Sequence, residues 1–388
     1  MERPKLFKES KRIIVKLGTA ILMGDDGGIA LDRFHSYVES IADQIKAGRE
    51  LLLVTSGAVG LGMQKLKLKQ RPKLLPQKQV CAAIGQGHLM SLYSDAFDQL
   101  GILTAQLLLT AEDFSNRKRY LSLRSTIHEL LCMGVLPIIN ENDPVSTSEL
   151  ELDKTKAHRS VNFGDNDKLS ALVASKIEAN LLIILTDVDG LYSADPQIDA
   201  NAKFIAEVND VDASLEELSD SKVADSAKLG RGGIQTKLAA AKVATQSGCA
   251  TIIAGGKIPS ILPRLFNGEQ LGTLFLPKHG LSSKQRWIAF ATTVKAALVV
   301  NDGAHEALTK RKASLLPAGV VEVKDIFDRG DVVSILNTTG HEFARGIVNY
   351  SSTEARQITG MHSQVINEKI EDRNYDALVT RDNIAFLE

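Results

Sequence analysis

Short apolar runs alternate with amphipathic stretches along the first two thirds of the chain. Strand-like runs begin at Arg12 in RIIVKLGTA, at Glu50 in ELLLVTSG and at Asn180 in NLLIILTDVDG. The stretch from Arg33 (RFHSYVESIADQIKAG) instead spaces its apolar residues so that they share one helical face. Continuous apolar strands flanked by amphipathic helices are typical of a parallel sheet that is covered on both faces. The pattern therefore predicts a three-layer α/β/α sandwich with a mainly parallel central sheet.

The pattern changes around residues 280–292. From Val294 onward, short strand-like runs are separated by Gly, Asp and Asn turns, which predicts a compact, mainly β domain that ends near Arg381. A chain of 388 residues, at roughly 100–200 residues per domain, fits this division. We expect a first domain, a linker and a second domain, at residues 1–280, 281–293 and 294–388.

Composition and charge exclude several classes of protein. Lys and Arg number 46 against 47 Asp and Glu, so no global charge attracts nucleic acid or an anionic membrane. The three cysteines, Cys81, Cys132 and Cys249, are widely spaced and fit a reducing compartment better than a disulfide framework or a zinc site. No apolar run approaches the roughly 18 residues of a membrane span, and MERPKLFKES lacks the apolar core of a signal peptide. We expect a soluble, cytoplasmic protein.

The commonest catalytic signatures are absent from the sequence. There is no G-x-x-x-x-G-K-[ST] phosphate loop, no G-x-S-x-G and no H-E-x-x-H. GAVGLG, from Gly57 to Gly62, follows a strand but does not fit the dinucleotide fingerprint. A tight strand-to-helix turn explains this segment at least as well as a phosphate site.

Small or charged residues occur at six predicted strand ends and helix starts. In order along the chain these segments are Lys16–Thr19, Thr55–Ala58, Asn140–Asp143, Gly164–Lys168, Thr186–Gly190 and Gly232–Lys237. In open α/β sheets, ligands bind beyond the carboxyl ends of the strands. Each segment alone has an ordinary explanation, such as a helix cap, a solvated turn or a surface lysine. Together, two lysines on glycine turns and several carboxylates predict phosphoryl transfer with a metal ion.

These segments also carry a resemblance to a known family. The motifs of the amino acid kinase family resemble, in residues and in order along the chain, the segments VKLGT, VTSGA, INEND, GDND, LTDVDGLY and GGIQTK. ASLLPAG, FDRGDVV and ARGIVNYSS resemble the PUA domain appended to some of its members. NEND, GDND and the PUA segment favour the members that act on L-glutamate over those that act on acetylglutamate, aspartate, carbamate or UMP. The resemblance implies that residues 1–280 are the catalytic domain and residues 294–388 the PUA domain.

The resemblance also implies a reaction. ATP, with Mg²⁺, would phosphorylate the γ-carboxylate of L-glutamate in the first step of proline biosynthesis. Because that carboxylate is already ionised, no catalytic triad or general base is needed, and catalysis rests on positioning and charge neutralisation. Feedback inhibition by proline, a homo-oligomer (dimer or tetramer) and hand-over of the labile product to glutamate-5-semialdehyde dehydrogenase are implied as well. A kinase for another small carboxylate or for carbamate is the alternative within the enzyme class.

The family motifs assign roles to individual residues. The catalytic residues implied are Lys16, Lys237 and Asp167, with Asp167 holding both lysines in place. The residues implied for glutamate binding are Ser56, Asp143, Asp165 and Asn166. Those implied for nucleotide binding are Lys16, Gly18, Thr186, Asp187, Arg231, Gly232, Gly233, Ile234, Gln235, Thr236 and Lys237. No residue is assigned directly to the metal, because Mg²⁺ would be carried by ATP.

One segment departs from the family pattern. The stretch from Glu149 to Asn162, containing ELDKTKAHRSVN, is longer than the resemblance implies and joins two substrate-binding motifs. A solvated surface insertion is the favoured interpretation. A lid over glutamate, or an effect on inhibition by proline, is the alternative hypothesis.

Two basic segments raise the question of nucleic-acid binding. The run from Lys65 to Lys78 has no interleaved aromatic residue, so a solvated loop is favoured. PUA domains commonly bind RNA, which makes an RNA-binding protein the alternative from another class. From Ile288 onward, however, the chain has 11 Lys and Arg residues and 14 Asp and Glu residues, and only Lys310–Lys312 forms a basic cluster. We therefore expect a structural or regulatory second domain that does not bind RNA.

Overall fold

The structure is a computed structural model and consists of two compact units. It describes residues 3–24, 27–146, 166–194, 199, 201–211, 233–278, 283–290, 294, 296–311, 313–361 and 377–387. Of these residues, those up to 278 belong to the first unit and those from 283 onward to the second. The exact ends of the two domains and of the linker stay a prediction.

The first unit contains the alternating strands and helices that the sequence pattern predicts. Its strands are β1 (Arg12–Leu17), β2 (Glu50–Thr55), β3 (Thr104–Leu109), β4 (Leu136–Glu141), β5 (Leu181–Thr186), β6 (Leu191–Tyr192), β7 (Phe204–Ile205), β8 (Glu207–Val208), β9 (Ala250–Gly255) and β10 (Thr273–Phe275). Its helices are α1 (Arg3–Glu9), α2 (Thr19–Leu22), α3 (Leu31–Lys46), α4 (Ala58–Lys65), α5 (Leu75–Asp98), α6 (Ala111–Ser115), α7 (Arg117–Cys132), α8 (Asn166–Ile177), α9 (Ile234–Gln246) and α10 (Ile261–Phe266).

Eight of these strands form one sheet, in the order β3-β4-β2-β1-β5-β9-β10-β8. The six strands from β3 to β9 in that order are parallel, whereas β10 runs antiparallel to β9. The expected mainly parallel sheet is therefore confirmed. Lys16 pairs with Val54 on one side and Ile184 on the other, so the carboxyl ends of three central strands lie side by side.

The sheet is covered by helices because its central strands are apolar on both faces. Ile13, Val15 and Leu17 pack into one core with Phe34 of α3 and Tyr93 of α5. On β5, every residue from Leu181 to Thr186 is buried. Helices α8 and α9 pack against each other, and α8 also contacts β1 and β5. None of the described helices has the length and apolar character needed to cross a membrane.

The GAVGLG segment is a strand-to-helix turn followed by a close helix crossing. Gly57, with φ +107°, lies in the left-handed region that favours glycine and leads directly into α4. A Cβ on Gly62 would lie 1.8 Å from the carbonyl oxygen of Cys81, and one on Gly85 would lie 1.8 Å from that of Ala58. The two glycines therefore let the backbones of α4 and α5 touch, which fixes where the end of β2 meets α4.

The second unit is β-rich, as the short strand-like runs predict. Its elements are α11 (Ser283–Phe290), β11 (Ala297–Val300), α12 (Asp302–Arg311), β12 (Val320–Lys324), β13 (Val332–Leu336), β14 (Glu342–Ile347), α13 (Ser352–Ile358) and β15 (Ile384–Phe386). The sheet order is β12-β11-β13-β14-β15. Apolar side chains from both its strands and its helices form one large core cluster, and Ala297, Val299 and Leu336 form a second, smaller one.

The second unit departs from the sequence-based expectation in its details. The last strand, the three-residue β15, begins three residues after Arg381 and pairs with β14. Such a short strand gives little periodicity to detect. The segment predicted as a linker contains α11, in which Trp287 and Ile288 are buried. Helix α12 was not expected among the strands, and its first turn is capped by Asn301, whose Oδ1 accepts the N–H of Ala304 at 2.8 Å.

Candidate active site

Two lysines from different parts of the chain meet at one buried carboxylate beyond the sheet. Asp167, in the first turn of α8, is fully buried. The ammonium nitrogen of Lys16 lies 2.5 Å from Oδ1 of Asp167, and that of Lys237 lies 3.2 Å from Oδ2. The structure therefore brings together the three residues that the sequence motifs single out for catalysis.

Both lysines reach this point because their elements begin or end there. Lys16 is the penultimate residue of β1, at the carboxyl edge of the sheet. Lys237 lies in the first turn of α9, which follows Gly233 in extended conformation. Each lysine is only 4% exposed, so their aliphatic stems pack in the core and only the ammonium ends approach the edge.

Opposing effects set the charge of the carboxylate. Burial by itself raises the pKa of Asp167, but the charges and hydrogen bonds of Lys16 and Lys237 outweigh it and hold that pKa below its ordinary value. Asp167 is therefore ionised at neutral pH and fixes both ammonium groups. Two positive charges share this one negative charge, an arrangement that favours a polyanionic ligand.

Asn166, one residue earlier, connects three neighbouring segments. Its Nδ2 donates to the carbonyl of Thr55 at 2.7 Å, the hydroxyl of Ser56 at 2.8 Å and Oδ1 of Asn140 at 2.9 Å. Its own Oδ1 is buried and has no hydrogen-bond partner in the part of the chain that the structure describes. An unpartnered buried acceptor one residue before Asp167 is suited to a ligand that donates hydrogen bonds.

Gly18 leaves space beside the first lysine. Its N–H donates to the carbonyl of Leu185 at 3.4 Å, and a methyl group in its place would lie 3.4 Å from the ammonium nitrogen of Lys16. On the neighbouring strand, the hydroxyl of Thr186 donates to Asp187 at 2.9 Å. These residues border the Lys16 side of the site at the ends of β1 and β5.

Not every residue singled out in the sequence can be placed. Asp143 lies two residues beyond the end of β4, and Gly233, Ile234, Gln235 and Thr236 form the start of α9. Thr236 also directs its hydroxyl toward Asp167 at 3.5 Å. Asp165, Arg231, Gly232 and the segment from Glu149 to Asn162 lie outside the described residues.

Asn140 and Thr55, which support Asn166, begin two of the six segments singled out in the sequence, but their partners Gln86 and Tyr93 were not expected there. Asn140 donates through Nδ2 to Oε1 of Gln86 at 2.8 Å, and the hydroxyls of Thr55 and Tyr93 lie 2.9 Å apart. Gln86 and Tyr93 are seven residues apart on α5, on the face that buries Leu89. The available signal in the sequence was a glutamine on the apolar face of a helix, since a buried polar group needs a hydrogen-bond partner.

Metal ligands do not cluster in the described part of the chain. Among those residues, no group of three or more His, Cys, Asp or Glu is arranged to hold a metal ion. Both oxygens of Asp167 already lie against lysine ammonium groups. The carboxylate at the centre of the site therefore acts on the lysines.

Two known families match separate parts of the chain. The amino acid kinase family matches residues 11–255, and the PUA domain matches residues 296–370. The chain belongs to the amino acid kinase family.

Relatives within that family narrow the comparison. Glutamate 5-kinase of Caldanaerobacter subterraneus subsp. tengcongensis is 47% identical over 382 residues, covering 97% of this chain and 98% of the relative. Glutamate 5-kinase of Geobacter sp. (strain M21) is 43% identical and covers 99% of this chain and 100% of the relative. Glutamate 5-kinase of Hahella chejuensis is also 43% identical and covers 98% of this chain and 95% of the relative. The resemblance found in the sequence motifs is confirmed, and it extends over nearly the whole chain.

Proposed function

We propose that the protein transfers the γ-phosphoryl group of ATP to the γ-carboxylate of L-glutamate. The product is L-glutamyl 5-phosphate, and the reaction is the first step of proline biosynthesis from glutamate. The observation that carries this proposal is the pair of ammonium groups, of Lys16 and Lys237, held on the buried carboxylate of Asp167. Similarity to glutamate 5-kinases along 97% of the chain supports the choice of acceptor.

The lysine pair provides what this reaction needs. An ionised γ-carboxylate is already a nucleophile, so the barrier comes mainly from bringing it against an anionic phosphate. Lys16 and Lys237 neutralise charge on the transferring group and the leaving phosphates, and Asp167 keeps both ammonium groups in position beforehand. Such pre-positioned charge is among the largest contributions that a protein makes to catalysis.

The amide and hydroxyl groups at the ends of β2 and β4 are suited to the amino-acid substrate. Ser56 and Asn166 lie within hydrogen-bond distance of each other, and Asp143 follows in the loop after β4. Glutamate carries one donor group, the α-ammonium, and two carboxylates. The unpartnered Oδ1 of Asn166 accepts from the ammonium, with Asp143 and Asp165 as further anionic partners in this proposal.

The nucleotide lies on the other side of the lysines in this proposal. Gly18, Thr186 and Asp187 border that side, and the segment from Arg231 to Lys237 leads into α9. A helix N-terminus directs unpaired N–H groups and a partial positive charge toward its ligand, which suits phosphate. Because Asp167 is engaged by both lysines, Mg²⁺ would be held by the ATP phosphates and would offset part of their charge.

Regulation and assembly are part of the same proposal. Proline acts as a feedback inhibitor, the chain forms a homo-oligomer (dimer or tetramer), and glutamate-5-semialdehyde dehydrogenase consumes the labile acyl phosphate. The protein works in the cytoplasm. These statements follow from the family resemblance and from the instability of an acyl phosphate in water.

Trapping of the acyl phosphate by hydroxylamine tests the reaction. We expect hydroxamate to form with L-glutamate, ATP and Mg²⁺, and proline to suppress it. N-acetyl-L-glutamate, L-aspartate and carbamate serve as alternative acceptors. Activity with one of these and none with L-glutamate would refute the proposed substrate, and no activity with any acceptor would refute the proposed reaction.

A further inference from the structure

A chain of buried amide groups leads from α5 to the proposed glutamate site. Gln86 is only 7% exposed, and its Oε1 accepts a hydrogen bond from Nδ2 of Asn140 at 2.8 Å. Oδ1 of Asn140, in turn, accepts the backbone N–H of Glu141 and Nδ2 of Asn166, both at 2.9 Å. Gln86 therefore influences Asn166 through one intermediate side chain.

The direction of each amide group in this chain follows from the one before it. An amide has a donor nitrogen and an acceptor oxygen, so a partner on one end decides what the other end presents. Gln86 occupies the donor end of Asn140, which leaves its oxygen for Asn166. The nitrogen of Asn166 then lies among three acceptors, on Asn140, Thr55 and Ser56. With its amide reversed, the oxygen of Asn166 would face the oxygens of Asn140 and Thr55 without a proton between them.

The orientation of these amides leaves the oxygen of Asn166 without a partner. Oδ1 of Asn166 is buried and has no partner among the described residues. Only a hydrogen-bond donor satisfies it. On glutamate, the α-ammonium is the group that donates, because ionised carboxylates only accept.

We propose that Gln86 is a positioning residue that makes the site specific for acceptors with a free α-ammonium group. This inference rests on the proposed function. Gln86 acts through Asn140, which holds Asn166 so that its carbonyl oxygen faces the substrate. It does not touch the substrate, and its loss affects recognition of the ammonium group more than transfer of the phosphoryl group.

Steady-state kinetics of Gln86→Met and Gln86→Glu test the role of Gln86. Methionine keeps the length of glutamine and removes the acceptor, so we expect the KM for L-glutamate to rise about tenfold, as for loss of one hydrogen bond to a charged group. The KM for ATP stays within about twofold, because the lysine pair is unchanged. The preference for L-glutamate over glutarate, which lacks the ammonium, falls by a similar factor. Gln86→Glu keeps an acceptor and restores the KM for L-glutamate.

A matched control is available on the same helix. Gln77 is exposed, so Gln77→Met makes the same chemical change away from the chain of amides and should leave every kinetic parameter unchanged. Urea unfolding of each variant verifies that it is folded. If Gln86→Met does not fold, Gln86→Leu makes the same comparison with another apolar side chain.

Three results would overturn the role of Gln86. The first is a Gln86→Met variant whose KM for L-glutamate and whose preference for L-glutamate over glutarate are unchanged. The second is a Gln86→Met variant in which the KM values for L-glutamate and for ATP rise equally. The third is a Gln86→Glu variant as impaired as Gln86→Met. Turnover of L-glutamate by the wild type tests the proposed function separately. A wild type that uses L-glutamate, with Gln86→Met indistinguishable from it, refutes only the role of Gln86.

Discussion

The charged residues at this site stabilise one another in a buried position. Burying one carboxylate or one ammonium alone is costly, and a buried charge is tolerated when it is paired. Asp167 pairs with Lys16 and Lys237 at once, so each charge makes burial of the others possible. The same arrangement holds both cations where a phosphoryl group can meet them.

Removing either lysine charge should impair turnover without unfolding the protein. We expect Lys16→Met or Lys237→Met to lower kcat by about 10²–10³-fold, as found when one electrostatic donor to a transition state is lost. Methionine keeps the buried stem, and the remaining lysine still pairs with Asp167. The measurement is kcat in the hydroxamate assay beside urea unfolding. Lys46→Met, at an exposed position in the last turn of α3, is the control, and a lysine variant with kcat near that of the control would contradict the assigned roles.

Stability should depend on Asp167 in acid. Burial alone would raise its pKa, but the two lysines depress it below the ordinary value of 3.8. A depressed carboxyl pKa stabilises the folded state above the unfolded pKa, and that contribution is lost as the pH falls through the folded pKa. We expect Asp167→Asn to lower the urea midpoint at neutral pH. The difference in urea midpoint between this variant and the wild type should shrink as the pH falls below 3.8. A gap that stays constant or widens in acid would contradict this account.

At the residue scale, the residues inside the strand-end motifs could be predicted, whereas the hydrogen bonds that join them to α5 could not. Lys16, at a strand end, and Asp167, at a helix start, are charged residues in an apolar context, and the resemblance of their motifs to a known family implies their catalytic roles. Gln86 is connected to Asn166 through Asn140, and the distance between Gln86 and Asn140 depends on how α5 packs on the sheet. No local sequence pattern contains that information.

At the scale of elements, the packing of α4 on α5 positions the end of β2. Gly85→Ala should destabilise the protein by about 1–3 kcal/mol or more, as for overpacked sites, because its methyl group would lie 1.8 Å from the carbonyl oxygen of Ala58. Gly62→Ala should have a similar effect for the same reason. Urea unfolding measures both.

Gly87 offers a control for the helix crossing. It lies on α5, and a Cβ there would have no atom within 4 Å. Gly87→Ala should be neutral or stabilise the protein by up to about 1 kcal/mol, since alanine is the better helix former. Equal destabilisation by Gly85→Ala and Gly87→Ala would show that helix propensity, and not the crossing, decides the effect.

Long periodic elements were predictable, whereas short and context-dependent ones were not. The strands of the main sheet follow from continuous apolar runs such as LLIILT, because a buried parallel strand needs apolar residues on both faces. β15 has three residues and is defined by pairing with β14, so its own sequence carries little information. GAVGLG could be predicted as a turn from its glycines, but the contact that Gly62 makes with α5 could not.

At the scale of the molecule, the first unit contains the described residues of the candidate active site. The second unit has its own sheet and core and an excess of acidic residues, with 11 Lys and Arg against 14 Asp and Glu from Ile288 onward. Since affinity for RNA depends largely on neutralised phosphates, we expect the full chain not to shift a structured RNA at physiological salt. A shift in such a mobility assay that Lys310→Glu abolishes would contradict this expectation and restore the RNA-binding alternative.

Transfer of oxygen from glutamate to phosphate tests the central claim most directly. L-Glutamate labelled with heavy oxygen in its γ-carboxylate is incubated with ATP, Mg²⁺ and hydroxylamine, and the released phosphate is analysed by mass spectrometry. If the carboxylate attacks the γ-phosphorus, its oxygen bridges carbon and phosphorus and leaves with the phosphate when hydroxylamine attacks the acyl carbon. We predict phosphate that carries heavy oxygen. Phosphate with only ordinary oxygen would mean that water attacks ATP, and would contradict phosphoryl transfer to glutamate.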